Sequence, residues 1–328
     1  MTVPAPVLQA VQVALEQATG RAMALRRMAP VGGGCINPSA RLEAESGEAF
    51  FLKWNPRSPA EMFAAEADGL QALREGTVRQ GNVPPARALH VPEVLGRGGS
   101  GTPSDPGWLL LEWIPRGSPA SDYGRRMGEG LAALHASRAA PGPAETPEGA
   151  QGAPTFGWHR PNFIGSLPQA NDPTQVWSHF WRDRRLEPQL RLARDRGYLG
   201  GSQGRVLDEL LLSMEGAMEG ACPAGPSLLH GDLWSGNYYP GPDGVPVLID
   251  PAVYRGAGEV DLAMMELFGT LPRGFLEGYG HVRPLDPGYE RIRRDLYQLY
   301  YLLVHVNLFG GGYVSSSLGA AQRILRAI

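Results

Sequence analysis

The stretch His230-Gly-Asp-Leu-Trp-Ser-Gly-Asn237, followed after a turn by Val247-Leu-Ile-Asp250, decides how the rest of the chain is read. The apolar runs Ser227-Leu-Leu229 and Val245-Pro-Val-Leu-Ile249 have the length of short buried strands, and both end in polar residues. Two strands thus deliver a carboxylate each, Asp232 and Asp250, with the Asn237 amide close behind the first. A phosphoryl-transfer site needs this set: one carboxylate to orient an attacking hydroxyl and accept its proton, and an Asn with a second carboxylate to hold magnesium. Magnesium prefers hard oxygen ligands and takes few from protein when phosphates supply the rest. A bare pair of His and Asp one residue apart more often shapes a turn. The whole string together with a strand-ending Asp is far more specific.

Upstream, Val31-Gly-Gly-Gly-Cys-Ile-Asn37 makes a glycine-rich turn before the alternating stretch Ser39 to Glu45. Ser46-Gly-Glu48 then turns the chain and Ala49-Phe-Phe-Leu-Lys53 returns as a strand. A lysine among such neighbours either snorkels at an edge or pairs with an anion. The helix expected from about Pro59 to Arg74 decides between them. Glu66 shares an apolar stripe with Met62, Leu70 and Leu73, where an ionised carboxylate is costly unless paired. Lys53 is its natural partner, and the pair would fix the lysine against the α- and β-phosphates of ATP; Glu61 falls off the stripe. Gly32, Gly33 and Gly34 could bring backbone N–H groups to phosphate oxygens with no side chain in the way, although the run is neither a Walker A sequence nor a full G-x-G-x-x-G. Cys35 reads equally as a reactive thiol beside those N–H groups or as a small filler; an exposed Cys35 would link two copies of the chain through a disulfide.

An amphipathic helix is expected from about Pro6 to Thr19, on the spacing of Val7, Val11 and Leu15. The apolar strand Trp108 to Ile114 is broken by Pro115 and Gly117, which sets a lobe boundary there: residues 1–114 for nucleotide binding, 115–328 for catalysis, metal and acceptor. Beyond it, helical patterns cover Tyr123 to Ala136, Gln175 to Tyr198, Gly204 to Gly220, Glu259 to Gly269 and Glu290 to Phe309, and the stretch Arg138 to Ala153 reads as a mobile loop. The fold class is α+β. The arginines from Arg182 to Arg196 alternate with Asp183, Glu187 and Asp195 and read as a solvated helix face. Asp261 is either an acid favoured near a helix N-terminus or a buried carboxylate accepting N–H bonds from the catalytic loop. Tyr297, His305 and Asn307 read as parts of a core helix.

At 328 residues, 43% hydrophobic and 19% charged, the chain can bury a full core, while 44 Gly and 30 Pro imply many turns. A net charge of −3 gives no general grip on nucleic acid. Two cysteines, Cys35 and Cys222, make neither a disulfide framework nor a zinc site, which fits a reducing compartment. The start of the chain lacks a basic-then-apolar leader and no run reaches membrane-span length, so a soluble cytoplasmic protein is expected.

Taken together, Gly32 to Asn37, Phe51-Leu-Lys53, Glu66, HGDLWSGN, Leu248-Ile-Asp-Pro-Ala252, Glu259-Val-Asp-Leu-Ala263 and the tail Tyr297 to Gly310 resemble the fructosamine (ketosamine) kinase family over nearly the whole chain. The resemblance implies a bilobal protein-kinase-like fold, related to aminoglycoside phosphotransferases, with an antiparallel N-terminal sheet and helix over a mainly helical C-terminal lobe. It implies ATP-dependent phosphorylation of a sugar hydroxyl in ketoamines, carried by small amines or glycated proteins, leading to deglycation. Asp232 would be the base, Asn237 and Asp250 the magnesium ligands, and Lys53 with Glu66 the phosphate clamp. Glu112, Trp113 and Ile114 would be the hinge that meets adenine, and His230 and Asp261 would support the loop. Trp234 would either lie beside the acceptor, its indole against a sugar face or an amine, or serve loop packing alone. D-P-A in place of D-F-G, and the lack of an A-P-E segment, argue against a protein substrate and phosphorylation-loop control of the protein-kinase type. The rival readings are an aminoglycoside, choline or homoserine kinase of the same fold, and a nucleotide-binding regulator without turnover. A monomer is expected, or a redox-linked dimer through Cys35.

Overall fold

The computed structural model describes residues 3–32, 37–59, 61–78, 89–137 and 155–328, so Gly33, Gly34, Cys35 and the segment read as a mobile loop lie outside the described residues. The chain opens with α1 (Ala5–Thr19) and the strands β1 (Leu25–Pro30), β2 (Ser39–Ala44) and β3 (Ala49–Asn55). Helix α2 (Glu61–Val78) and strands β4 (Val94–Gly98) and β5 (Gly107–Glu112) complete the N-terminal part. The five strands form an antiparallel sheet in the order β1-β2-β3-β5-β4. Strands β1 and β4 were not anticipated: β1 carries two exposed arginines and β4 is glycine-rich, so neither shows clean alternation. The strand expected to reach Ile114 stops at Glu112.

Strand parity sorts the side chains of this sheet. Phe50, Leu52 and Trp54 of β3 and Trp108 and Leu110 of β5 pack with Val7, Val11 and Leu15 of α1. Leu109 and Leu111 face the other way, toward Phe63, Leu70 and Leu73 of α2. Because successive strand residues alternate between faces, Phe51 and Lys53 share the α2 side. Each fully buried leucine contributes roughly 2 kcal/mol of transfer free energy, so a one-residue slip that inverted both faces would be heavily penalised.

After α3 (Tyr123–Ala136) comes a small hairpin, β6 (Asn162–Ile164) with β7 (Leu167–Gln169). Then follow α4 (Trp177–Trp181), a π-helical turn (Arg182–Leu186), α5 (Glu187–Asp195), α6 (Gly201–Leu212) and α7 (Met214–Ala217). The short strands β8 (Ser227–Leu229), β9 (Tyr238–Pro240), β10 (Pro246–Leu248) and β11 (Tyr254–Gly256) pair as β10 with β9 and β11 with β8. Helices α8 (Glu259–Leu267), α9 (Phe275–Val282), α10 (Arg294–Phe309) and α11 (Val314–Ala327) close the chain. α10 is the core helix, with Leu296, Tyr297, Leu299, Tyr300 and Leu303 fully buried. Asn307 on it donates to Gln189, and Trp177 donates to Tyr297. Among the described residues no helix is long and apolar enough to cross a membrane.

One arginine departs from the solvated face expected of the arginine-rich helix, while Arg191, Arg194 and Arg196 are exposed as that reading has them. A π-helical turn breaks the helix after Trp181 and rotates Arg185 inward, where it is 0% exposed. Its guanidinium lies 3.9 Å from the Tyr254 ring centroid and 4.6 Å from that of Phe180. It donates to Ala170 O at 2.6 Å and to Asn171 Oδ1 at 2.7 Å. Aromatic faces and carbonyls thus replace water around the cation. Arg185→Leu would strand two buried acceptors and is expected to lower stability by about 3 kcal/mol, read as a fall in Tm. An unchanged Tm would show that this cation contributes nothing net.

Candidate active site

Lys53, 6% exposed, stands on the cleft side of β3 and donates to Glu66 Oε1 at 2.7 Å and to Asp250 Oδ1. Glu66 reaches it from the α2 stripe it shares with Met62, Leu70 and Leu73. Burial disfavours the ammonium, but Asp250 and Glu66 outweigh it and hold the lysine above its ordinary value. Burial raises the Glu66 carboxyl, with Lys53 opposing. The base of the glycine-rich turn is closed by Val31 N–H donating to Ser39 O at 3.0 Å, and Ser39 pairs directly with Lys53 across the β2–β3 ladder.

Across from the lysine, the string from His230 to Asn237 and the Asp250 segment brace one another. Ala252 N–H donates to His230 O at 2.8 Å, and Ile249 N–H to Asn237 O at 3.0 Å. His230 is fully buried; its Nε2 meets Ile249 O at 2.8 Å while its Nδ1 accepts the Asp232 N–H at 3.3 Å. That pattern fits a neutral ring protonated on Nε2, and burial lowers its pKa in keeping. Gly231 has φ 81°, and a methyl group there would come within 2.1 Å of Ala252 O, so only glycine fits. Asp250 itself has φ 56°, a left-handed conformation that Asp tolerates better than most residues and that turns its carboxylate out of the strand toward Lys53.

Asp261 is 0% exposed and accepts the N–H groups of both His230 and Gly231 at 2.8 Å. His135 Nε2 lies 3.1 Å from the same carboxylate, and its Nδ1 is 2.9 Å from the Tyr279 hydroxyl. Burial opposes the Asp261 charge, but His135, His230 and the Gly231 N–H more than compensate and keep its pKa below the usual range. Tyr301 adds a hydrogen bond to Gly231 O at 2.7 Å. His135, Tyr279 and Tyr301 carry no sequence signal toward this loop. Their own helices are apolar, and the contacts join positions far apart in the chain.

Asn237 Nδ2 donates to Asp232 O at 2.8 Å, to Asp232 Oδ2 at 3.1 Å and to Asp250 O at 3.4 Å. A continuous chain of contacts therefore runs Glu66–Lys53–Asp250–Asn237–Asp232. Burial, reinforced by Asp250, pushes the Asp232 carboxyl up to about 7. Trp234 is half-buried and lies over Gly236, where a methyl group would come within 2.3 Å of the indole. At the hinge, Ile114 packs against Tyr239 and Val247, and the Tyr239 hydroxyl donates to Ile114 O at 2.9 Å. Glu112 turns its carboxylate toward His90 and the Glu93 N–H, and the Trp113 ring lies near Phe51 and Arg41.

The fructosamine kinase family model matches residues 7–327. A Synechocystis protein provisionally named a ketoamine kinase is 38% identical over 324 residues, covering 98% of each chain. The chloroplastic protein-ribulosamine 3-kinase of Arabidopsis thaliana is 36% identical, covering 94% of this chain and 86% of its own. A crystal structure from Thermobifida fusca, provisionally a fructosamine-3-kinase, superposes with a TM-score of 0.76 at 33% identity, covering 96% of this chain and 98% of that one.

Two outcomes follow from the loop geometry. Gly231→Ala should abolish turnover, since its methyl group displaces the Ala252 carbonyl and with it the Asp250 segment; near-normal kcat would contradict that close approach. The raised Asp232 pKa also bears on stability. Between its ordinary value near 4 and about 7, the folded chain holds a proton that the unfolded chain has lost, so this group makes stability fall as pH rises. In metal-free protein Asp232→Asn should therefore melt higher than the parent at pH 8 and nearly equal to it at pH 4. Equal melting at both would show that Asp232 titrates normally.

Proposed function

The chain belongs to the fructosamine kinase family, and from that premise we propose that it transfers the γ-phosphoryl group of ATP to a sugar hydroxyl of a ketosamine, with Asp232 accepting the hydroxyl proton. The observation that supports the reading is the contact chain from Glu66 through Lys53, Asp250 and Asn237 to Asp232, with a buried ammonium toward one end and a carboxylate at the other.

Magnesium fits the donor set. The Asn237 NH2 group is committed to Asp232 and Asp250, which turns the amide oxygen away from them, and Asp250 uses only Oδ1 on Lys53. Two hard oxygens from protein suit an ion that takes its other ligands from phosphates and water. When bound there, the ion would neutralise charge on the phosphates of the nucleotide.

The remaining work falls to side chains. Lys53, held by Glu66, would meet the α- and β-phosphates, and the backbone from Glu112 to Ile114 would meet adenine, with Tyr239 fixing the Ile114 peptide. The acceptor oxygen bonds to the γ-phosphorus as the bond from that phosphorus to the bridging oxygen of ADP breaks. The hydroxyl proton passes to the Asp232 carboxylate, whose raised pKa suits it to take a proton near neutral pH. Most of the acceleration comes from positioning and charge neutralisation, since no covalent enzyme intermediate is needed. Trp234, braced over Gly236 two residues from Asp232, offers a flat ring against the sugar.

Phosphorus NMR of reactions with ribulosyl-lysine, fructosyl-lysine, an aminoglycoside and choline is expected to show a new sugar phosphate monoester with a ketosamine alone. Asp232→Asn should reduce that rate by about 10²- to 10⁴-fold while keeping its fold. Phosphorylation of the aminoglycoside or choline with both ketosamines untouched would contradict the acceptor assignment, and undiminished activity in the variant would contradict the base.

A further inference from the structure

The contact chain of the active site joins two parts that could drift relative to one another: α2, which carries Glu66, and the segment 250–253, which carries Asp250. In the structure they touch directly at Gly69, where a methyl group would lie 3.2 Å from Val253 and 3.3 Å from Pro251. Apolar contact of this kind permits sliding. A directional tie comes from elsewhere, from the β6–β7 hairpin and the residues that lead into it.

Four grips are visible. Trp158, 5% exposed, donates its indole N–H to Asp68 Oδ2 at 2.9 Å, and Asp68 lies two residues beyond Glu66 on α2. Asn162, 4% exposed, donates to Val253 O at 2.7 Å, and Gln169, 2% exposed, donates to Ala252 O at 3.3 Å. Gly157 exchanges both backbone hydrogen bonds with Arg255, at 2.9 and 2.8 Å. The hairpin and the residues leading into it therefore hold α2 through Trp158 and His159, whose Nε2 lies 3.3 Å from the same Asp68 oxygen, and the metal-ligand segment through Gly157, Asn162 and Gln169.

The gripping side chains are themselves fixed. Gln169 also donates to Asn162 Oδ1 at 2.8 Å and accepts the Tyr300 hydroxyl at 2.6 Å. Asn171 donates to Asn162 Oδ1 at 3.0 Å and accepts from buried Arg185 at 2.7 Å. Every one of these amides is buried, where an unmade hydrogen bond is costly, so the network has one low-energy arrangement. The inward turn of Arg185 thereby gains a reason: it anchors the far side of the hairpin to the helical core.

We propose that the segment Trp158–Gln169 is the positioning element of the site, holding Glu66 and Asp250 in register through Trp158 on Asp68 and through Asn162 and Gln169 on the carbonyls of Val253 and Ala252. The proposal rests on the reading of Lys53, Glu66 and Asp250 as the nucleotide site. Trp158, Asn162 and Gln169 touch none of the reacting atoms and act through Glu66 and Asp250. The tie joins an indole to a carboxylate and two amides to backbone carbonyls, and it needs no added phosphate to assemble the site.

The test is the dissociation constant of magnesium AMP-PNP by calorimetry, together with KM for ATP, KM for ribulosyl-lysine and Tm, in the full chain and in Asp68→Ala, Asp68→Asn and Trp158→Phe. Misplacement of groups one residue layer behind a site commonly costs 10- to 100-fold, so Asp68→Ala is expected to weaken nucleotide about tenfold in Kd and in KM for ATP, with KM for ribulosyl-lysine within about twofold. Asp68→Asn, which keeps an acceptor for the indole, is expected to recover most of the loss. Trp158→Phe, which keeps the ring and removes only its N–H, should reproduce the Asp68→Ala effect should that variant fail to fold. Unchanged nucleotide constants in Asp68→Ala or Trp158→Phe, whatever the Tm, would overturn the proposal by reducing the tie to bulk packing. Asp68→Asn as impaired as Asp68→Ala would overturn it by placing the effect on charge. Failure of the parent chain to bind magnesium AMP-PNP would instead sink the nucleotide-site reading itself.

Discussion

A buried ammonium group organises this molecule. Lys53 has almost no contact with solvent, and an unpaired charge there would be far too costly to keep. It is tolerated because two carboxylates from distant parts of the chain converge on it. The parity of β3 points it away from α1, the stripe of α2 brings Glu66, and the left-handed turn at Asp250 brings the third member. Each of those features costs something alone: an acid on an apolar helix face, a lysine within a core strand, a non-glycine residue at positive φ. Together they cancel, and the cancellation stabilises the triad.

The loop from His230 to Asn237 is secured by a different logic. Asp261, wholly buried, collects two consecutive backbone N–H groups and the His135 ring, which adds a carboxylate anchor to the backbone bonds between this loop and the Asp250 segment. Glycine at 231 lets the loop lie against the Ala252 carbonyl, and neutral His230 fills the space between the two segments with both ring nitrogens used. Asp232 sits at the end of this construction with its charge disfavoured by burial and by Asp250. A carboxylate raised in this way is a better proton acceptor than an ordinary aspartate, while a cation brought to Asp250 would pull it back toward ionisation.

Much of this was legible in the sequence because the informative residues are local. The string from His230 to Asn237 and the strand-ending Asp250 lie close together in the chain, and Glu66 announces itself as the one acid on an apolar stripe. The helix Tyr123–Ala136 and the strand Ser227–Leu229 begin and end where patterning places them. Strands of three residues, such as β6, β7, β9 and β11, are too short to show a period, and β1 and β4 lack alternation. The helices α9 and α11 also went unread. Arg185 departs from what its surroundings in the sequence imply because charge alternation is a surface pattern, whereas its burial depends on Tyr254 and Asn171 from other segments and on a π-helical turn. His135, Trp158 and Tyr239 belong to the same class: each matters through a partner that only the folded chain brings near.

The most direct test of the central arrangement is a crystal structure of the chain with AMP-PNP and manganese, read by anomalous scattering at the manganese edge. An anomalous peak bonded to the Asp250 carboxylate and the Asn237 amide oxygen, with the Lys53 amine on an α- or β-phosphate and the γ-phosphate facing Asp232, is the expected result. A nucleotide bound elsewhere, or a metal peak that touches neither Asp250 nor Asn237, would contradict it.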